Sequence, residues 1–194
     1  MAEIRSFIAI DIPDEVKSEM ARLIDAIRPG REKDVKWVDP KNSHLTLKFL
    51  GNIQEDLIVE LITVLQHSAR DVKPFHLELA GLGAFPGLKS PRVAWVGVGG
   101  DLDELKRLQK GIEVNLMPLG FSEERKAFSA HITLGRTRDR ITSSGRAELG
   151  EAISKAGYQR GVPFTIDSFG LFKSTLTKTG PIYEKMGTIV LDTG

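Results

Sequence analysis

The sequence predicts a bilobal α+β fold in which two antiparallel-rich β-sheets, related by a pseudo-two-fold axis, face a central cleft with helices packed outside. Three observations point there. The second half of the 194-residue chain echoes the first at an offset of about 87 to 90 residues. Runs of strand character alternate with runs of helical spacing, but not in the regular beat of parallel βαβ units. In each half, one strand sets a histidine and a threonine on one face and aliphatic residues on the other, which gives it a side to bury and a side to turn toward a cleft.

Four segments carry the repeat, always in the same order. RSFIAIDI from Arg5 aligns with RVAWVGVG from Arg92, HLTLKFLGN from His44 with HITLGRTRD from His131, PFHLELAGLGAF from Pro74 with PFTIDSFGLF from Pro163, and PRVAWVGV from Pro91 with PIYEKMGT from Pro181. One such match could be chance; four in register indicate two copies of one unit, over about 5–90 and 92–190, joined in a single bilobal domain spanning 1–194.

The elements follow in order. Phe7 to Ile12 is a β-rich run, and Pro13 with two acids opens a helix that continues to about Arg28. Lys36-Trp37-Val38 is a short extended piece, and Leu45 to Leu50 is a strand that Gly51-Asn52 should end. Leu57, Leu61, Val64 and Leu65 give the stretch from Asp56 to Arg70 a helical stripe. Strands at Phe75 to Leu82 and Arg92 to Val98 are separated by a glycine- and proline-punctuated loop, Gly81 to Ser90, in which Gly81, Gly83 and Gly87 read as turn residues. The second copy then gives a helix from Leu102 to Leu116, the strand at His131, a loop from Thr137 to Gly145, a helix from about Arg146 to Gly157, and strands near Phe164 to Phe172 and Tyr183 to Leu191.

Composition narrows the class. Hydrophobic residues at 41% and charged residues at 27% are the balance of a soluble globular protein, with no run long enough to span a bilayer. The first residues read as a strand and not as a signal peptide, so a cytoplasmic location is expected. With no cysteine there is neither a disulfide framework nor a thiolate site. A net charge of +1 argues against a protein that coats long nucleic acid, and leaves a nucleic-acid end or a single nucleotide as a partner.

Alternation places His44, Thr46 and Lys48 on one strand face, and His131 with Thr133 on one face of the other. If the two faces oppose each other across a cleft, two imidazoles and two hydroxyls surround one small anion. That arrangement suits phosphodiester cleavage: attack and departure are in line at phosphorus, so a base and an acid belong on opposite walls. Histidine has both protonation states available near neutrality, and threonine hydroxyls can donate to the non-bridging oxygens. Two histidines without a nearby third ligand make a poor metal site, and no cofactor is expected.

The paired H-x-T motifs at His44 and His131, with FIAIDIP, KWV, HLTLKFLG, SPRVAWVG, HITLGR and GPIYE around them, resemble the two-histidine phosphoesterase superfamily. Over essentially the whole chain the sequence is most similar to the RNA 2′,3′-cyclic phosphodiesterases, once named 2′-5′ RNA ligases. The resemblance implies metal-independent attack of water on a 2′,3′-cyclic phosphate to leave a 2′-phosphate, with His44 as proton donor and His131 as acceptor, and possible reverse 2′-5′ ligation. It implies RNA 3′ ends or short oligonucleotides as partners. No membrane partner is expected from the hydropathy of the chain, and a monomer is expected. From the residues alone two other readings stay open: a phosphodiesterase for a small cyclic nucleotide such as an ADP-ribose cyclic phosphate, and a nucleotide- or RNA-terminus-binding module without turnover.

Further candidates surround the motifs. Arg136 suits a phosphate, but strict alternation puts it on the face opposite His131; Gly135 before it offers a bulge that would turn it toward the cleft. Lys48 is placed on the catalytic face, as a substrate contact. Tyr183 and Trp37 could each stack on a base, or pack in the protein. Arg5 and Arg92 begin equivalent strands and could rim the cleft. His67 and His76 lack a threonine partner and are not expected to act.

Overall fold

The computed structural model describes residues 3–161, 163–177 and 180–192. Strand β1 (Glu3–Asp11) leads to α1 (Asp14–Ile27), β2 (Val35–Trp37), β3 (His44–Gln54), α2 (Ile58–Ser68), β4 (Phe75–Phe85) and β5 (Val93–Gly100). Then come α3 (Leu102–Leu116), β6 (His131–Thr137), α4 (Ser143–Lys155), β7 (Phe164–Ile166), β8 (Ser168–Leu176) and β9 (Pro181–Val190). The helices form where apolar residues recur at three- and four-residue spacing. In α1 these are Val16, Met20, Leu23, Ile24 and Ile27, all buried, behind acids in the first turn that suit the positive end of the helix dipole. Helix α4 begins three residues before the expected Arg146, because the Thr142 hydroxyl caps it by accepting from the Gly145 amide at 3.0 Å.

All the strand pairings are antiparallel, in a four-stranded sheet of order β3-β1-β8-β9 and a five-stranded sheet of order β2-β6-β5-β4-β7. Each sheet draws strands from both halves of the chain. The run β3-β1-β8 in one matches β6-β5-β4 in the other, as a pseudo-two-fold requires. The helices pair on the outside, α1 with α4 and α2 with α3. Between helices and sheets lies a continuous apolar core that includes Ile8, Leu45, Leu79, Leu105, Leu134 and Leu171. Among the described residues no helix is long and apolar enough to cross a membrane.

Three expectations are corrected. Gly51-Asn52 does not end a strand: β3 runs on to Gln54, still paired with β1, and absorbs Gly51 at φ 75 as a bulge where the register slips between Ser6 and Phe7. The expected loop from Gly81 begins as strand, since β4 continues to Phe85 through a register shift between Leu79 and Leu82. Within it Gly83 is a packing position and not a turn, because the Trp95 indole occupies the space a Cβ would need. The run from Phe164 to Phe172 is two strands, with Asp167 as the step by which the chain leaves β4's edge and joins β1 in the other sheet.

Gly83→Ala should therefore overpack the Trp95 contact and cost about 1–3 kcal/mol, read from the urea midpoint. Gly87→Ala, where a Cβ meets nothing within 4 Å, should stay within about 0.5 kcal/mol of the parent.

Candidate active site

The two histidines begin β3 and β6, strands from different sheets that meet each other. They are held by the same device. His44 Nδ1 lies 3.0 Å from the Asn42 carbonyl and His131 Nδ1 lies 2.7 Å from the Ser129 carbonyl, in each case two residues upstream. A carbonyl can only accept, so each Nδ1 carries the hydrogen and each Nε2 is left to take or give a proton. Two residues on, Thr46 and Thr133 share their histidine's face, and neither hydroxyl is engaged by another described residue. His44, Thr46, His131 and Thr133 all line one cavity of about 440 Å³.

After each threonine both strands bulge. In the β1–β3 ladder Thr46 faces Ala9 and Lys48 faces Ile8, skipping Leu47; in the β5–β6 ladder Thr133 faces Trp95 and Gly135 faces Ala94, skipping Leu134. The inserted residue reverses the alternation beyond it. Arg136 thereby turns into the cavity with His131, as the Gly135 bulge allowed. Gly135 itself is required, because a Cβ there would lie 2.8 Å from atoms of Trp37 and Val35.

The same bulge corrects Lys48, which leaves the face of His44 and enters the interior. Lys48 and Glu113 have side chains only 2% and 3% exposed, and their ion pair closes at 2.5 Å. The ammonium also donates to the Ser122 carbonyl at 2.9 Å, and Gln109 donates to the other Glu113 oxygen at 3.0 Å. Lys48 is thus a structural cation that ties the His44 strand to helix α3 and to the segment leading into His131. Phe49, which strict alternation would set on the core face opposite His44, is 58% exposed and lines the cavity instead.

Around the histidines the walls are aromatic. His44 packs against Phe7, with ring centroids 4.6 Å apart, and edge-on against Tyr183 at 4.9 Å; His131 packs edge-on against Phe85 at 4.9 Å. Burial pushes the His44 pKa below 6.5, against smaller opposing effects of the Asn42 carbonyl and Asp11. Burial also raises the Tyr183 hydroxyl, with Arg136 and Arg5 pulling the other way, so Tyr183 remains a neutral donor. Arg5 lines this cavity, as do Ser6 and Ser43, whose buried hydroxyls have no partner among the described residues. Trp37 lies outside it, packed over Gly135. His67 sits on α2 over a separate surface hollow, and His76 is exposed on β4 near Asp101. Among the described residues no group of three or more His, Asp or Glu is gathered to hold a metal.

Sequence reasoning missed Phe7, Phe85, Ser6 and Ser43. The one signal for the histidine supports was positional, since Asn42 and Ser129 each precede their histidine by two residues.

A model described as LigT-like phosphoesterase matches the chain twice, over residues 10–95 and 98–183. A Thermotoga maritima protein named RNA 2′,3′-cyclic phosphodiesterase is 37% identical over 180 residues, 93% of this chain and 91% of its own length. An Archaeoglobus fulgidus protein of the same name is 32% identical over 182 residues, 94% of this chain and 97% of its own. Among solved structures, a Thermus thermophilus protein matches with a TM-score of 0.79 at 26% identity, over 97% of this chain and 98% of its own. E. coli LigT complexed with 3′-AMP matches with a TM-score of 0.74 at 23% identity, over 98% and 99%, a likeness of fold.

Removing one partner of the buried pair strands the other charge, so Lys48→Ala should lose about 3–5 kcal/mol in urea unfolding. Lys48→Met combined with Glu113→Leu should recover more than half of that loss.

Proposed function

The chain belongs to the LigT-like phosphoesterase family, and we propose that it is an RNA 2′,3′-cyclic phosphodiesterase that opens the terminal cyclic phosphate by two-histidine acid–base catalysis. The observation that carries this reading is the matched pair of histidines, each with Nδ1–H tied to a carbonyl and a threonine two residues on, set on strands of different sheets around one cavity. The relatives named RNA 2′,3′-cyclic phosphodiesterase, similar over most of their length, support the substrate class.

In this mechanism the cyclic phosphate lies between the two Nε2 atoms. His131 takes a proton from water as it attacks phosphorus, and His44 gives one to the departing O3′, leaving a 2′-phosphate and a free 3′-hydroxyl. Thr46, Thr133 and the Arg136 guanidinium donate to the oxygens whose charge grows in the transition state. Tyr183 and Arg5 stand on the His44 side, where the terminal nucleotide is held. No step calls on a metal. An alcohol in the place of water would run the same steps to a 2′-5′ linkage.

The lowered pKa of His44 bears on its role as the acid. Burial keeps the ring neutral in the free protein at pH 7, and an anionic phosphate against Nε2 favours the imidazolium. Substrate therefore supplies the charge that loads the acid.

Hydrolysis of an RNA ending in a 2′,3′-cyclic phosphate, with EDTA present, tests the proposal. EDTA-resistant formation of a 2′-phosphate is expected, with His44→Ala and His131→Ala each reduced by roughly 10²–10⁴-fold. A wild-type protein that turns over no such RNA overturns the reading. In proton NMR the His44 titration midpoint, below 6.5 in the free protein, should rise when inorganic phosphate saturates the cavity. An unmoved midpoint would remove His44 from the role of acid.

A further inference from the structure

The cavity around the histidines continues along the four-stranded sheet past the groups that act on the cyclic phosphate. Beyond Phe7, one row of residues crosses three strands. Arg5 precedes Ser6, which pairs with Lys173, so its neighbour on β8 is Ser174; Ser174 in turn pairs with Tyr183 of β9. Alternation sets Arg5 with Phe7, and Ser174 with Phe172, on the face turned to the cleft, and Arg5, Ser174 and Tyr183 all line the cavity. Adjacent strands lie about 4.8 Å apart, so a guanidinium and two hydroxyls share one patch of wall.

None of these three side chains makes a hydrogen bond or ion pair with another described residue. No aspartate or glutamate is among the described residues that line the cavity. The acids nearest in the chain are turned elsewhere: Asp11 pairs with Lys185, Glu3 accepts from Asn52 and Gln54, and Glu184 alternates to the opposite face beside Lys173. Burial raises the Tyr183 hydroxyl while Arg136 and Arg5 draw it down, so both guanidinium groups act on the same oxygen. Two cations and a neutral phenol, with no carboxylate between them, make a wall that an anion stabilises.

Resting on the hydrolytic reading above, we infer that Arg5, Ser174 and Tyr183 form a second phosphate subsite, which holds the phosphate on the 5′-oxygen of the ribose that carries the cyclic phosphate. The side follows from the reaction. His44 protonates the departing O3′, so the ribose lies on the His44 side of phosphorus. Tyr183 packs edge-on against His44 at 4.9 Å, which puts the row next to that ribose, where the substituent on C5′ reaches it. The cyclic phosphate has its own donors in Thr46, Thr133 and Arg136, at the end of the cavity shared with His131. What the row recognises is the phosphate itself, whether it is the internucleotide link of an RNA or a free phosphate end. A cyclic phosphate on a nucleoside with a bare 5′-hydroxyl uses only the histidine end of the cavity.

The test is steady-state hydrolysis by the full-length protein of three substrates: adenosine 2′,3′-cyclic phosphate, the same compound with a 5′-phosphate, and the dinucleotide ApA ending in a 2′,3′-cyclic phosphate. Wild type should favour the two phosphate-bearing substrates over the first by roughly ten- to hundredfold in kcat/KM, mainly through KM, the scale of a charge-assisted hydrogen bond. Arg5→Gln should erase most of that preference and Arg5→Lys should restore part of it. Tyr183→Phe, which keeps the ring against Phe7 and His44, and Ser174→Ala should each lower it roughly two- to tenfold. Lys106→Glu, on the outer surface of α3, should leave it alone. A preference for the 5′-monophosphate alone keeps the subsite and assigns it to a free phosphate end. A preference for the dinucleotide alone traces recognition to the second nucleoside and overturns the subsite. Equal kcat/KM on all three substrates, or a preference unmoved by Arg5→Gln, also overturns it and leaves the hydrolytic reading standing. Absence of hydrolysis of every cyclic phosphate by wild type overturns both.

Discussion

A strand has two faces, and one inserted residue exchanges them. In this molecule the insertion falls just after the threonine of each histidine strand, at Leu47 and at Leu134. Ahead of the bulge the polar residues face the cavity and the aliphatic residues face the core. Beyond it, two successive residues turn inward and the next turns out, so Arg136 and Phe49 join the site while Lys48 is driven into the protein. The buried Lys48–Glu113 pair, the indole of Trp37 on Gly135 and the charge on the cavity wall are all consequences of that local change of register.

The two halves of the site are alike in construction and unlike in charge. Each imidazole is oriented by a carbonyl two residues upstream, which settles the tautomer without a carboxylate partner. Around that shared frame, His44 lies against Phe7 and Tyr183, and His131 against Phe85, with a cation beyond one bulge and a phenyl ring beyond the other. Pseudo-symmetry supplies two equivalent bases, and the differing neighbours supply the direction in which the proposed reaction runs.

Much of this was legible in the chain. Helical spacing located α1, α2 and α3 to within a few residues, and the duplicated H-x-T runs picked out the four side chains that meet in one cavity. What stayed hidden has a common cause: a period of two carries no mark of an inserted residue. Alternation therefore put Lys48 in the cleft and Phe49 in the core, the reverse of their places, and left Arg136 undecided until Gly135 could be seen to sit in a bulge. The break at Asp167 was equally silent, because Phe164–Ile166 and Ser168–Leu176 read as one apolar run although they belong to different sheets. Local pattern states that a strand forms and not which neighbour it pairs with.

The exchange of strands between halves sets the order in which the two walls of the cleft can be assembled as the chain is synthesised. By Thr137 the strands β2, β4, β5 and β6 have all been made, and the His131 wall can close with only β7 outstanding. The His44 wall has β1 and β3 early, but its remaining strands lie at Ser168–Leu176 and Pro181–Val190, so β1 holds an unpaired edge until the last fifth of the chain emerges. Contacts so distant in sequence close slowly. One wall of the cleft therefore waits on β8 and β9, and a chain released before them carries a paired His131 strand opposite an incomplete His44 sheet.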